Sequence, residues 1–297
     1  MFTKMLVATD LSEASERAIY ALGSLKTIGT REALLIHCFN AHGMGTLTDL
    51  DCFNMDRLME LAKPPLERQQ KILHALGFQV TAKMALGLPQ VEINRQADEH
   101  NCSLVVVGSS GGTMAGEILL GGVASAVVHS ATRPVLVLRL GLKAQAGRAS
   151  GGDATCSPLE HILFPTDFSD NAEHAFSYVR KIAECGAKRI TLLHVQDQGR
   201  IDHHLKDRLE EFNRIDTARL ARLKEELIKA GVKDVRTELS HGSPKKEIIA
   251  RIGRGDVSLV VMGSQGRGYL GDVFLGSVSH AVTRNSAVPV LLIPAIK

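Results

Sequence analysis

The sequence predicts an α/β protein made of two tandem copies of one doubly wound domain, each built on a five-stranded parallel sheet. Three observations carry this. First, the 297-residue chain repeats itself: KMLVATDLS at 4–12 returns as HILFPTDFS at 161–169, and SLVVVGSSGG at 103–112 returns as SLVVMGSQGR at 258–267. Second, the offset barely drifts, from 167 − 10 = 157 at the aspartates to 242 − 87 = 155 at Gly87 and Gly242, so the halves are duplicates of one fold. Third, strand-length apolar runs alternate with segments of helical period, which requires right-handed crossovers and a parallel sheet covered on both faces.

Taken in order, Met5 to Ala8 reads as a strand and Ser12 to about Lys26 as a helix, with Ser12 as N-cap and Glu13 favourable in the first turn. A strand follows at Ala33 to Phe39. Residues 54–76 read as a helix interrupted at Pro64-Pro65, where two N–H donors are missing. Next come a strand near Phe78 to Met84, a helix from Pro89 to His100, a strand from Leu104 to Val107, a glycine loop, a helix near Val123 to Ser130 and a last strand, Val135 to Leu138. The second half repeats this order with strands near Ile162 to Pro165, Ile190 to Val195, Val235 to Leu239, Leu259 to Met262 and Val290 to Ile293. Its longest helix, about Asp202 to Ala230, sets Leu205, Leu209, Phe212, Ile215, Leu223 and Leu227 on one face. Such a stripe is a core-facing surface, or a coiled-coil seam.

Residues 141–158 break the rhythm, with glycines among Ala, Ser and Thr, and read as a flexible linker between domains at 1–140 and 159–297. The chain is long for a single core. Its 44% hydrophobic and 23% charged residues are those of an ordinary globular protein. Net charge is +3 with acidic and basic residues interleaved, which leaves no electrostatic footprint for nucleic acid. The apolar stretches are strand-sized, so no membrane partner is expected and the cytoplasm is the expected location. Five scattered cysteines without a CxxC pair fit reduced thiols rather than disulfides or zinc.

The chemistry concentrates at 258–281. Leu259 to Met262 ends on glycine; Gly263 and Gly266 follow, and nine residues later Gly276-Ser277 opens a second apolar pattern at Val278, Ala281 and Val282. Glycines let a backbone approach a ligand closely, and the free N–H groups of a helix start attract an anion, so strand, loop and helix start form a phosphate cradle. Gly266 to Gly271 also spells GxGxxG, but no acidic residue follows at the required distance, and the Walker pattern is absent.

At these residues the chain resembles the universal stress protein family, whose nucleotide-binding members carry glycine, two residues, glycine, nine residues, then glycine with Ser or Thr. Gly263, Gly266, Gly276 and Ser277 fit that spacing in full. The resemblance covers essentially the whole chain, twice, and implies the adenine nucleotide alpha hydrolase-like fold. It also implies ATP or another adenine nucleotide as ligand, with Mg as a companion ion. By the resemblance, Pro165-Thr166-Asp167 and Val195, after His194, lie by ribose and adenine; Met262 and Val278 flank the loop and complete the set. A carboxylate accepts bonds from sugar hydroxyls and repels phosphate, so Asp167 belongs at the ribose end. In the first half Asp10, Gly108, Gly111 and Gly121 keep the pattern, but Gly122 replaces the hydroxyl residue and Ala8 the proline. The nucleotide is therefore expected mainly in the second half. Packing of the two domains on each other and a homodimer are further expectations, as is a role in stress response.

Other readings stand beside these. Asp10 and Asp167 could simply cap the helices that follow, and Ser277 could be only an N-cap. His37 and His194 read as strand-end core residues rather than acid/base groups. His203-His204 reads as a solvated pair, and Ser150 to Asp153 only superficially resembles a pyrophosphatase loop. An interaction scaffold that binds nothing is the alternative function. A dedicated enzyme is not expected, since no nucleophile–base pair or carboxylate cluster is visible and Arg267 and Arg284 are the only basic residues near the loop.

Overall fold

The structure is a computed structural model that describes residues 1–40, 49–109, 120–139, 158–201, 208–266 and 275–295. Contacts divide the chain into units Met1–Leu142 and Lys143–Lys297. The expected linker lies, except for Pro158, outside the described residues.

In the first unit the elements run β1 (Lys4–Thr9), α1 (Glu13–Tyr20), a 3-10 turn (Ala21–Ile28), β2 (Glu32–Phe39), α2 (Asp49–Ala75), β3 (Gln79–Leu86), α3 (Pro89–Glu99), β4 (Leu104–Gly108), α4 (Gly122–Ser130) and β5 (Val135–Leu138). The strands pair in parallel in the order β3-β2-β1-β4-β5. β1, β2, β4 and β5 are apolar and buried, as strands covered on both faces must be.

The second unit runs β6 (His161–Thr166), α5 (Asp170–Ala183), β7 (Arg189–Asp197), the short α6 (Gln198–Ile201), α7 (Leu209–Lys229), β8 (Asp234–Gly242), α8 (Pro244–Ile252), β9 (Leu259–Gly263), α9 (Ser277–Asn285) and β10 (Val290–Ile293). Its parallel order, β8-β7-β6-β9-β10, reproduces that of the first unit. In each unit the chain leaves its first strand toward one edge and returns to that strand's other side. This puts the switch point between β1 and β4, and between β6 and β9.

Three expectations need correction. α2 runs through Pro64 and Pro65 without interruption. The carbonyls that lose their donors belong to Glu60 and Leu61, which are exposed to water, while Ala62, Leu66, Gln69 and Leu73 are buried around them. Packing of that face outweighs the two lost bonds. On α7 the buried stripe is Asp216, Leu220, Leu223 and Leu227, while Ile215 is 40% exposed. Spacings of four and three keep the stripe on one face, and Ile215 sits about 100° away. Leu205 and His203-His204 lie outside the described residues. Finally, β7 continues two residues past Val195, the expected strand end, which is buried within the strand and pairs with Ser240.

The helix starts follow from their caps. Ser12 accepts from Ser15 N–H and Ser169 from Ala172 N–H, both at 3.2 Å. Among the described residues no helix is long and apolar enough to cross a membrane.

Candidate functional site

At the switch point of the second unit, β6 and β9 separate. Their ladder is Ile162–Leu259 and Leu163–Val260 and stops two residues before Pro165, which has no N–H to extend it. Beyond Thr166 the chain turns sharply. Thr166 Oγ1 accepts from Phe168 N–H at 3.1 Å, and Asp167 Oδ1 accepts from Ser169 N–H at 3.1 Å and Ser169 Oγ at 2.6 Å. Phe168 takes a left-handed φ of 57°. The first unit builds the same turn, with Leu11 at φ 63° and Asp10 Oδ1 accepting from Ser12 N–H, Ser12 Oγ and Ser15 Oγ. Neither aspartate is the N-cap; each braces the serine that is. Asp167 is half-buried, Asp10 exposed.

The start of the glycine loop, Gly263 to Gly266, packs against this turn. A side-chain carbon on Gly266 would stand 2.6 Å from Asp167 Oδ2, so the missing Cβ is the space the carboxylate occupies. On Gly263 it would meet the carbonyls of Gln265 and Asn171 at 3.2 and 3.3 Å, and on Gly276 the Ser264 carbonyl and Gln265 Cα at 3.2 and 3.3 Å. All three glycines are thus favoured by close packing within the fold, a reason that their spacing alone does not reveal. The loop closes through Gly276 N–H to the Ser264 carbonyl at 2.7 Å, as Gly121 N–H does to Ser109 in the first unit.

Gly276 is the N-cap of α9, and Ser277, expected as a possible cap, is instead its first helical residue, exposed at the helix start. An exposed hydroxyl beside the N–H groups of a first turn is a donor set suited to a phosphate. Val278 is half-buried behind it, while Met262 lies in β9 with its side chain in the core. Sequence reading missed Ser279, which is buried and donates to the Gly263 carbonyl at 2.8 Å, tying α9 to the end of β9. The equivalent residue in the first unit is Ala124. The first unit therefore lacks two hydroxyls, at Gly122 and Ala124. A side chain on Gly122 would have nothing within 4 Å. Gly108 ends β4 and Gly121 caps α4, while Gly111 and Arg267 lie outside the described residues. Arg284 is exposed in the last turn of α9.

Both histidines bond the carbonyl that precedes an aspartate: His37 Nδ1 to Thr9 at 2.9 Å and His194 Nδ1 to Thr166 at 2.7 Å. Next to His37, burial pushes the Cys38 thiol up to about 11, which makes it a poor nucleophile. Among the described residues no group of three or more His, Cys, Asp or Glu is placed to hold a metal ion.

With this geometry in hand, comparison with known proteins is direct. The model of the universal stress protein family matches residues 1–139 and 158–294. A universal stress protein of Methanocaldococcus jannaschii is 29% identical over 158 residues, which are 47% of this chain and 96% of that protein. The crystal structure of a universal stress protein from Archaeoglobus fulgidus matches over 99% of both chains, with 26% identity and a TM-score of 0.75. A Pseudomonas aeruginosa protein of unknown function shares the fold, at 16% identity and a TM-score of 0.58 over 99% of this chain and 93% of its own.

Proposed function

The chain belongs to the universal stress protein family, in tandem two-domain form, and on that premise we propose that it binds an adenine nucleotide, ATP in the first instance, in its second unit. The observation that carries the reading is the exposed Ser277 at the first turn of α9, with Asp167 held in the gap left by Gly266 across the loop. Phosphates lie at the helix start, where N–H groups and the hydroxyl donate; the ribose lies toward Asp167, and Thr166 and Val195 are buried behind it. Any Mg ion arrives on the phosphates, since Mg binds through substrate phosphates and few carboxylates.

The first unit takes nucleotide more weakly. Loss of one hydroxyl contact removes on the order of 1 kcal/mol, and more where the acceptor is charged. The protein acts in the cytoplasm as a stress-response factor whose stability or partner choice follows the nucleotide, as expected for its family.

Titration of the full chain with ATP tests this. A melting temperature that rises with ATP and not with a sugar phosphate supports it, and a smaller rise in Ser277→Gly locates it. One observation favours a second reading, an interaction scaffold: Gly263, Gly266 and Gly276 each pack closely against the protein's own atoms, so the fold alone gives a reason for them. That reading predicts no ATP-dependent shift at any concentration.

A further inference from the structure

We propose that Asp216 on α7 is a positioning residue that sets the aim of Asp167 through His194. The inference rests on the second unit being the nucleotide site, and deepens it.

The two residues that flank Asp167 both rest on His194. The Thr166 carbonyl accepts from its Nδ1 at 2.7 Å, and the Phe168 ring packs against the imidazole with centroids 4.5 Å apart. A carbonyl only accepts, so Nδ1 carries the hydrogen and Nε2 faces the other way. There Asp216 Oδ2 stands 3.5 Å off, on a side chain only 13% exposed. Asp216 is itself pinned: Oδ2 accepts from Gln196 Nε2 at 2.9 Å, and Arg219 approaches Oδ1 at 3.8 Å while its guanidinium covers the Phe168 ring at 5.3 Å. With a hydrogen on each nitrogen the ring is an imidazolium, and the Asp216 carboxylate then holds it by charge at Nε2 while Nδ1–H holds the Thr166 carbonyl, which fixes the orientation of the ring. The orientation then passes to Thr166 and Phe168, and so to the carboxylate between them.

The first unit lacks this support. Its buried stripe Ala62, Leu66, Gln69, Leu73 matches Asp216, Leu220, Leu223, Leu227 at a constant offset of 216 − 62 = 154, which puts Ala62 where Asp216 stands. Among the described residues His37 pairs with no carboxylate, and it is half-buried where His194 is buried. The asymmetry falls in the unit that also keeps Ser277 and Ser279.

The test uses the full-length protein with Asp216→Asn, which keeps the shape, and Asp216→Ala, the residue of the first unit. Without ligand, NMR of the His194 ring nitrogens and of the Asp167, Phe168 and Ser169 amides is expected to move in both variants. ATP affinity is expected to fall on the order of tenfold, the size typical when a supporting partner behind a binding group is removed. In an Asp167→Ala background the same substitution is expected to cost nothing further, because the effect runs through Asp167. Unmoved amides, or equal losses in both backgrounds, would overturn the proposal. Should Asp216→Ala not fold, Asp216→Asn decides alone. Should the wild type take no ATP, the nucleotide reading fails, while the ligand-free spectra still decide whether Asp216 positions Asp167.

Discussion

Gly266→Ala is the substitution whose consequence can be worked most closely from the geometry. The new carbon would sit 2.6 Å from Asp167 Oδ2, closer than real side chains approach, and the neighbour that must yield is the flexible carboxylate rather than backbone. To yield it must turn, and turning breaks the bonds that Oδ1 accepts from Ser169 N–H and Oγ. Two hydrogen bonds of about 1 kcal/mol each are at stake. Against this, alanine lowers the unfolded chain's entropy by about 0.5 kcal/mol, since Gly266 has no left-handed φ to forbid it. The net loss is about 1.5 kcal/mol, or roughly 3–6 °C in melting temperature for a unit of this size. The companion Gly122→Ala in the first unit meets nothing within 4 Å and is expected to melt at or slightly above the wild type. Thermal denaturation of both variants, followed by ATP titration, is the assay. A Gly266→Ala protein that melts like the wild type and binds ATP equally would refute the idea that Asp167 is seated by the missing Cβ.

Other outcomes follow from the same structure. Ser277→Gly is expected to weaken ATP binding roughly tenfold, the value of one bond to a charged phosphate, and Gly122→Ser to strengthen any binding by the first unit; calorimetry reads both. Arg251 is 4% exposed, and its guanidinium contacts Glu238 at 2.9 Å and Asp256 at 2.6 Å. Arg251→Met leaves two partly exposed carboxylates to be rehydrated and is expected to cost about 1–3 kcal/mol in urea unfolding of the second unit. His161 is buried, with Nδ1 donating to the Asp256 carbonyl and Nε2 accepting from Thr191 Oγ1, and burial holds its pKa below the ordinary value. The unfolded chain therefore binds a proton that the folded one refuses. The stability is present in full above about pH 6.5 and declines as pH falls below it. Arg251 likewise holds the Asp256 carboxyl low, so a second decline follows below about pH 4. Urea midpoints between pH 4.5 and 8 should show the first decline, and His161→Asn should remove it.

The succession of strands and helices along the chain was legible because the apolar runs are short, buried on both faces and repeated. Duplicated spacing also located the glycine loop and the two aspartates. What the sequence concealed depends on contacts across the fold. Pro64-Pro65 reads as a helix break because local rules count the lost donors and not the buried face of α2. Ile215 reads as core because hydrophobicity cannot show that Asp216, one residue on, is the position that faces inward. Gly263, Gly266 and Gly276 read as room for a ligand, whereas their nearest neighbours are the protein's own carbonyls and the Asp167 carboxylate. Ser279 was hidden as an ordinary serine in an apolar helix. Comparison with Ala124 at the repeat position is the signal that could have found it.

The central claim is that one adenine nucleotide is held by the second unit. Isothermal titration of ATP into the full-length protein, alongside Ser277→Gly and Gly122→Ala, tests it most directly. The account predicts a single strong site per chain, weakened by Ser277→Gly and untouched by Gly122→Ala. No binding heat at millimolar ATP, or two equal sites indifferent to Ser277, would contradict it.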